Sequence, residues 1–225
     1  MNTKNQTRKI ILIALFSAMA YVCMFVFRFK VSFLTFDAKD TIITVGAMLL
    51  GTIPGILMSF FVAFVELISV SDTGIYGFIM NFISSATFCA VASFVYRRRK
   101  SLNMALIALM LAVLSTTSVM LLANLLITPL YMTGTTSKDI VALILPLLMP
   151  FNFTKGLFNA SLVLIIYKPI TNALRKTKFI VDKANFKYNK NSIIILTLGI
   201  ILLVASILIF ANVLDGNFEL IRKNI

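Results

Sequence analysis

The run 150-PFNFTKGLFNASLVLIIY-167 is apolar over a membrane-spanning length, and a single lysine interrupts it. A span of the hydrocarbon core needs about 17–25 such residues as a helix. A charge at the bilayer centre costs between about 2.5 and 10 or more kcal/mol, so Lys155 must face protein or a polar cavity rather than lipid. Its companions agree. Asn152, Lys155, Gly156 and Asn159 recur at i, i+3, i+4 and i+7, which places them on one face of a helix. A polar face of that kind requires other helices around it, so this stretch alone predicts a polytopic α-helical membrane bundle.

The rest of the chain supplies those helices. Apolar blocks cover residues 10–27, 41–50, 56–70, 77–96, 102–127, 140–167 and 193–213. The chain is 60% hydrophobic and 13% charged, about half the charged share of a soluble domain. The blocks at 41–50 and 56–70 are each short, and they meet at the uncharged turn Gly51-Thr52-Ile53-Pro54-Gly55, so short or tilted helices joined tightly are expected. Pro146 and Pro150 divide 140–167 into a short outer segment, a break and a sixth span. The amino terminus resembles a signal peptide but has no small-residue cleavage site, which predicts a retained first span.

The net charge of +13 does not point to nucleic acid, because the basic residues lie between apolar blocks. With the amino terminus inside, 14 Lys and Arg fall on the cytoplasmic side, 6 outside and Lys155 within a span. The positive-inside rule therefore predicts a multi-pass membrane protein with a cytoplasmic amino terminus. Histidine is absent, excluding His-based metal or acid–base chemistry, and Cys23 and Cys89 sit in apolar segments as small packing residues.

On this topology Glu66 and Lys155 are the two charges inside spans, both toward the outer end. Two readings stand: an ion pair or snorkelling to the interface, or the lining of a polar pocket open to the outside. The fourth span carries Gly77, Asn81, Ser84 and Ser85, and the fifth Thr117, Met120 and Asn124, each as a stripe like that around Lys155. Three such faces make a chamber in which amides donate and accept and an ammonium donates, suited to a heterocycle with hydroxyls. Asp37 and Asp40 form an acidic pair at a helix start, where carboxylates complement the helix dipole. No Walker A loop is present and no nucleophile has a base beside it, so an enzyme is not expected.

Several fragments occur in order: Phe33-Leu34-Thr35-Phe36-Asp37-Ala38-Lys39-Asp40, Gly51-Thr52-Ile53-Pro54-Gly55, Val65-Glu66-Leu67-Ile68, Thr73-Gly74 with Gly77 and Asn81-Phe82, Asn124 with Pro129-Leu130-Tyr131, and Pro150-Phe151-Asn152-Phe153-Thr154-Lys155-Gly156. Together they resemble the riboflavin-specific S components of energy-coupling factor (ECF) transporters. The resemblance implies a six-helix vitamin-binding domain over 8–176; beyond it are expected a basic cytoplasmic linker at 177–191 and an additional transmembrane helix with a short tail at 192–225. It implies riboflavin, or an FMN-like flavin, as a transported ligand rather than a resident cofactor, bound near the outer face under the loop between the first two helices, where Leu34 and Asp37 lie. It implies that Asn124, Asn152 and Lys155 contact the flavin and its ribityl chain, that Thr73, Gly74 and Gly77 offer backbone contacts, and that Glu66 and Asn81 are further candidates. It also implies a prokaryotic plasma membrane as the location, and a transmembrane coupling subunit and two ATPases as partners, with Ala14 and Ala18 as the small docking residues of the first helix. The rival expectations are an S component for another vitamin and a proton-coupled secondary carrier. The second would need a carboxylate relay, and usually an internal repeat, where the sequence offers Glu66.

Overall fold

The computed structural model describes residues 3–132, 134, 136–176 and 190–222. Long helices α1 (Thr3–Val26), α3 (Thr52–Ser69), α4 (Gly74–Arg98), α5 (Leu102–Tyr131) and α7 (Met149–Lys176) surround the short α2 (Lys39–Leu50). Between α1 and α2 the chain makes a hairpin of β1 (Phe29–Val31) and β2 (Leu34–Phe36). A seven-residue α6 (Ser137–Leu143) leads through a π-helical turn at Ile144–Leu148 into α7, and α8 (Lys190–Arg222) packs along α7. Among the described residues five helices are long and apolar enough to cross a bilayer, and α8 contains a shorter apolar segment, Leu196–Asn212. The chain is an all-α, multi-pass membrane protein, with the hairpin as its only described sheet.

The position of α2 explains its brevity. Twelve residues rise about 18 Å, well under the roughly 30 Å of a hydrocarbon core. The helix is buried continuously from Lys39 to Met48, packed by α1, α3, α4 and α7, so protein rather than lipid is its solvent. Its Ile43 joins Phe16, Met58, Phe88 and Leu109 in the main core. Large apolar side chains such as Val22, Ile53, Ile68, Leu122 and Leu126 point outward, as lipid-facing residues do.

Two glycines set the α2–α3 corner. Gly51 takes φ 123°, a backbone state that a side chain would strain, and ends α2. Gly55 meets α2 so closely that an added Cβ would lie 2.5 Å from the Ala47 Cβ.

Proline effects differ from simple breaks. Pro146 lacks an N–H, and instead of opening, the helix widens to a π turn in which the Met149 N–H reaches the Ile144 carbonyl five residues back. The expected break is therefore a continuous bulge. Pro129 is likewise accommodated inside α5, since the helix runs on to Tyr131 and the Met132 N–H bonds to the Thr128 carbonyl. The hairpin was not anticipated, because strands of three residues carry too little alternation to register in sequence. Its turn uses Ser32 at φ 55°, the left-handed conformation that two-residue hairpin turns demand. The linker expected at 177–191 lies outside the described residues up to position 189.

Gly55→Ala is expected to destabilise the protein by about 1–3 kcal/mol, because the α2 backbone must retreat. Thermal unfolding in detergent measures this as a lower melting temperature than wild type.

Candidate functional site

The site begins at Asp37, fully buried where the hairpin enters α2. Its Oδ2 accepts from Lys155 Nζ of α7 at 2.9 Å and from Lys39 Nζ of α2 at 3.2 Å. Lys39 Nζ also donates to Glu66 Oε2 of α3 at 2.9 Å, and Arg28 Nη2 lies 3.8 Å from Glu66 Oε1. Asp40, in the first turn of α2, accepts from the Ser85 hydroxyl of α4. Three acids and three bases thus share one buried cluster whose formal charges cancel. At this depth a lone ion is prohibitive, whereas a paired and hydrogen-bonded set can be kept.

Asn159 fastens the cluster to the fold. Its Nδ2 donates to the carbonyls of Asp37 (3.1 Å) and Lys155 (3.0 Å), and its Oδ1 accepts from the Thr41 amide (2.9 Å) and hydroxyl (2.7 Å). One amide thereby saturates its hydrogen-bonding capacity and fixes α7 against the start of α2.

Above the cluster, Lys155 Nζ also donates to the Thr35 carbonyl of β2 at 3.1 Å, which ties the hairpin to α7. Beside this lies a cavity of about 70 Å³ into which Leu34, Thr73, Gly77, Asn81, Asn152 and Lys155 all open. Gly77 is required by packing here: a Cβ would fall 2.0 Å from the Thr73 hydroxyl. Phe33, Thr35, Thr73 and Asn81 form a shared wall with an adjoining cleft of about 160 Å³, lined further by Arg28, Lys30, Glu66 and Asp72. At its rim Lys30 hydrogen-bonds to the exposed Asp72, holding that carboxyl below the usual range.

The sequence residues are placed as follows. Leu34, Thr73, Gly77, Asn81, Asn152 and Lys155 come together, Glu66 sits in the adjoining cleft, and Asp37 lies beneath Lys155. Gly74 and Asn124 are not in the wall. Asn124 is buried on α5 with its Nδ2 on the Met120 carbonyl at 2.7 Å and its Oδ1 accepting from Thr128 at 3.0 Å. Of the fifth-span stripe, Met120 reaches the cavity. Ala14 and Ala18 are on a different surface, lining an apolar groove of about 400 Å³ between α1 and α3.

A sequence model described as "ECF transporter, substrate-specific component" matches residues 8–167. The chain belongs to that family. The S component is 26% identical over 181 residues to the riboflavin transporter RibU of Staphylococcus aureus (strain TCH60), covering 76% of this chain and 94% of that one. A solved S component of a bacterial ECF transporter superposes with a TM-score of 0.64 at 24% identity, covering 76% of this chain and 99% of that one, a likeness of fold. The protein is therefore the substrate-binding part of a transporter that works with an ECF module, and not an enzyme.

Three expectations need correction. Glu66 does not pair with Lys155; Lys39 and Asp37 stand between them. Lys39, counted among the exterior charges, is 1% exposed. The helix-start reading of Asp37 and Asp40 is incomplete: the Asp37 Oδ1 accepts from the Lys39 amide at 3.2 Å and Asp40 lies in the first turn of α2, but both carboxylates are also buried in the cluster. A signal for this existed in the alternation Asp37, Lys39, Asp40 immediately before an apolar helix, where opposite charges can neutralise one another inside the protein.

Asp37→Asn, which leaves Lys39 and Lys155 without their shared anion, is expected to destabilise the S component by about 3–5 kcal/mol. A double-mutant cycle with Lys39→Met, followed by thermal unfolding in detergent, should recover part of that loss. Additive losses would show that the two side chains are uncoupled.

Proposed function

We propose that this S component captures riboflavin at the outer face of the membrane and passes it inward with the ECF module. The observation that carries the reading is Lys155, which is almost buried, is held by Asp37 and the Thr35 carbonyl, and still opens into a cavity with Asn81 and Asn152. Two of its three donors are engaged, leaving one for a carbonyl or hydroxyl of the guest. The amides supply matching donors and acceptors for a flavin's polar edge and ribityl hydroxyls. The likeness to a riboflavin transporter supports the same substrate.

The cavity of about 70 Å³ is far below the 300–1,000 Å³ of typical small-molecule sites. Loading therefore requires the hairpin wall formed by Phe33 and Thr35 to move, joining the cavity to the adjoining cleft. Because the buried charges already cancel, a neutral guest leaves the balance intact while a phosphate adds an unpaired charge. Riboflavin is accordingly the preferred ligand over its phosphate.

The partners of this reading are a transmembrane coupling subunit and two ATPases. The groove beside Ala14 and Ala18 has the small side chains that allow close approach of another helix. With the buried Lys39 set aside, the basic residues still divide 14 to 5, which supports a cytoplasmic amino terminus and so an outward-facing site.

Titration of the purified protein with riboflavin, followed by quenching of flavin fluorescence, tests the substrate. Lys155→Ala is expected to weaken binding by about 10- to 100-fold, the equivalent of one charged hydrogen bond. Tight binding of a different vitamin with none of flavin would overturn the assignment. Ala18→Trp separates the functions: riboflavin binding should persist in the isolated subunit while uptake by cells carrying the ECF module falls at least about tenfold.

A further inference from the structure

α8 lies beyond the residues that carry the family match, and it touches the hairpin. Its Phe210 ring stands 5.1 Å from Phe29, edge to face, and 4.9 Å from Phe36. Phe29 and Phe36 face each other across β1 and β2 and stack at 4.8 Å, so Phe210 caps the open end of the hairpin. At the other end, Phe33 and Leu34 reach the cavity. The seat of α8 against α7 is close and specific, since Gly199 lies where an added Cβ would be 3.2 Å from Ile165 and 3.4 Å from the Ser161 carbonyl.

We propose that α8 is a clasp on the substrate site: through Phe210 it holds the hairpin shut and sets how fast the ligand enters and leaves. Strands of three residues pair too weakly to stay closed alone. The hairpin is kept in place by the Lys155–Thr35 bond at the site, by Phe151 and Phe158 of α7 against Phe36, and by Phe210, together with the Lys30–Asp72 pair at the rim and packing against Ile140, Leu147 and Leu148. The first two belong to the walls of the site itself. Phe210 comes from an element with no residue in the cavity and outside the family match, which makes it a positioning residue. Removing it loosens the lid without altering any group that faces the guest. Opening and reclosing then both become easier, so rates change more than affinity. The kinetic part of this inference rests on the flavin reading above; the accessibility of the lid does not.

The test uses the full chain with Phe210→Ala and, separately, Gly199→Leu, which displaces α8 from α7 without touching the hairpin. Stopped-flow riboflavin quenching should show the dissociation rate rising about tenfold in both, from the loss of two aromatic contacts. The association rate should rise as well, leaving Kd changed less than either rate. A merely structural role predicts fewer competent molecules with unchanged rate constants, and that result overturns the proposal. A ligand-free readout runs alongside, with Leu34→Cys as a buried reporter in a background carrying Cys23→Ala and Cys89→Ala. Its modification by a water-soluble thiol reagent should be about tenfold faster once Phe210→Ala is added. Unchanged labelling overturns the clasp even if riboflavin binds; faster labelling without flavin binding upholds it and overturns only the substrate.

Discussion

Everything in the outer half of the molecule depends on one carboxylate that has no contact with water. Asp37 is the point at which α2, α7 and the hairpin are joined, because the two lysines it neutralises come from different helices and one of them also holds Thr35. Without that anion, Lys155 would keep only the Thr35 carbonyl and Lys39 only Glu66, and the elements that carry the two lysines would shift. The cluster is an expensive way to join helices, since apolar packing of the same volume is often at least as stable. Its retention makes sense for a chain that must present one ammonium group at a fixed place in a low-dielectric site.

That requirement accounts for the order of elements from residue 28 to residue 40. A long loop could not keep Lys155 aligned, and a long strand would seal the cavity. A hairpin of three-residue strands is short enough to move, yet it is fixed at one end by Asp37 and the start of α2. Thr35 gives a carbonyl to Lys155 while its neighbours Phe33 and Leu34 cover the cavity, so the charge that would greet a ligand also holds the lid. A guest competing for Lys155 would weaken the tie between lid and wall as it enters.

The helices were legible in the sequence because membrane spans announce themselves by length and apolarity, and the face bearing Asn152, Lys155 and Asn159 by simple periodicity. What escaped was whatever depends on partners distant in the chain. Asp37 looked like a capping residue because its neighbours suggest a helix start, and only the return of α7, 118 residues later, makes it an ion-pair centre. Lys39 looked exterior because it lies in a polar patch; burial came from four helices closing around α2. Asn124 has the composition and spacing of a binding residue, but its amide is taken up by Met120 and Thr128 of its own helix. Asn152 makes the same kind of local bond to the Leu148 carbonyl and still reaches the cavity, so helical spacing cannot distinguish the two.

The same logic explains why the polar residues of this chain are concentrated where they are. In a bilayer each unsatisfied donor is costly, so amides and hydroxyls on spans fall back on carbonyls four residues earlier: Ser59 on Gly55, Thr117 on Val113, Asn124 on Met120, Asn152 on Leu148. These bonds keep the protein closed to lipid while no guest is present, and each holds back only part of a side chain's capacity. Lys155 cannot use that refuge, because an ammonium needs an anion rather than a carbonyl alone. Placing Asp37 beneath it, and balancing Asp37 with Lys39 and Glu66 in turn, moves the electrostatic problem away from the cavity wall and into the core. The wall then presents directional donors and acceptors, with the Lys155 charge compensated from beneath by Asp37, which is the character a neutral, hydroxyl-rich heterocycle requires.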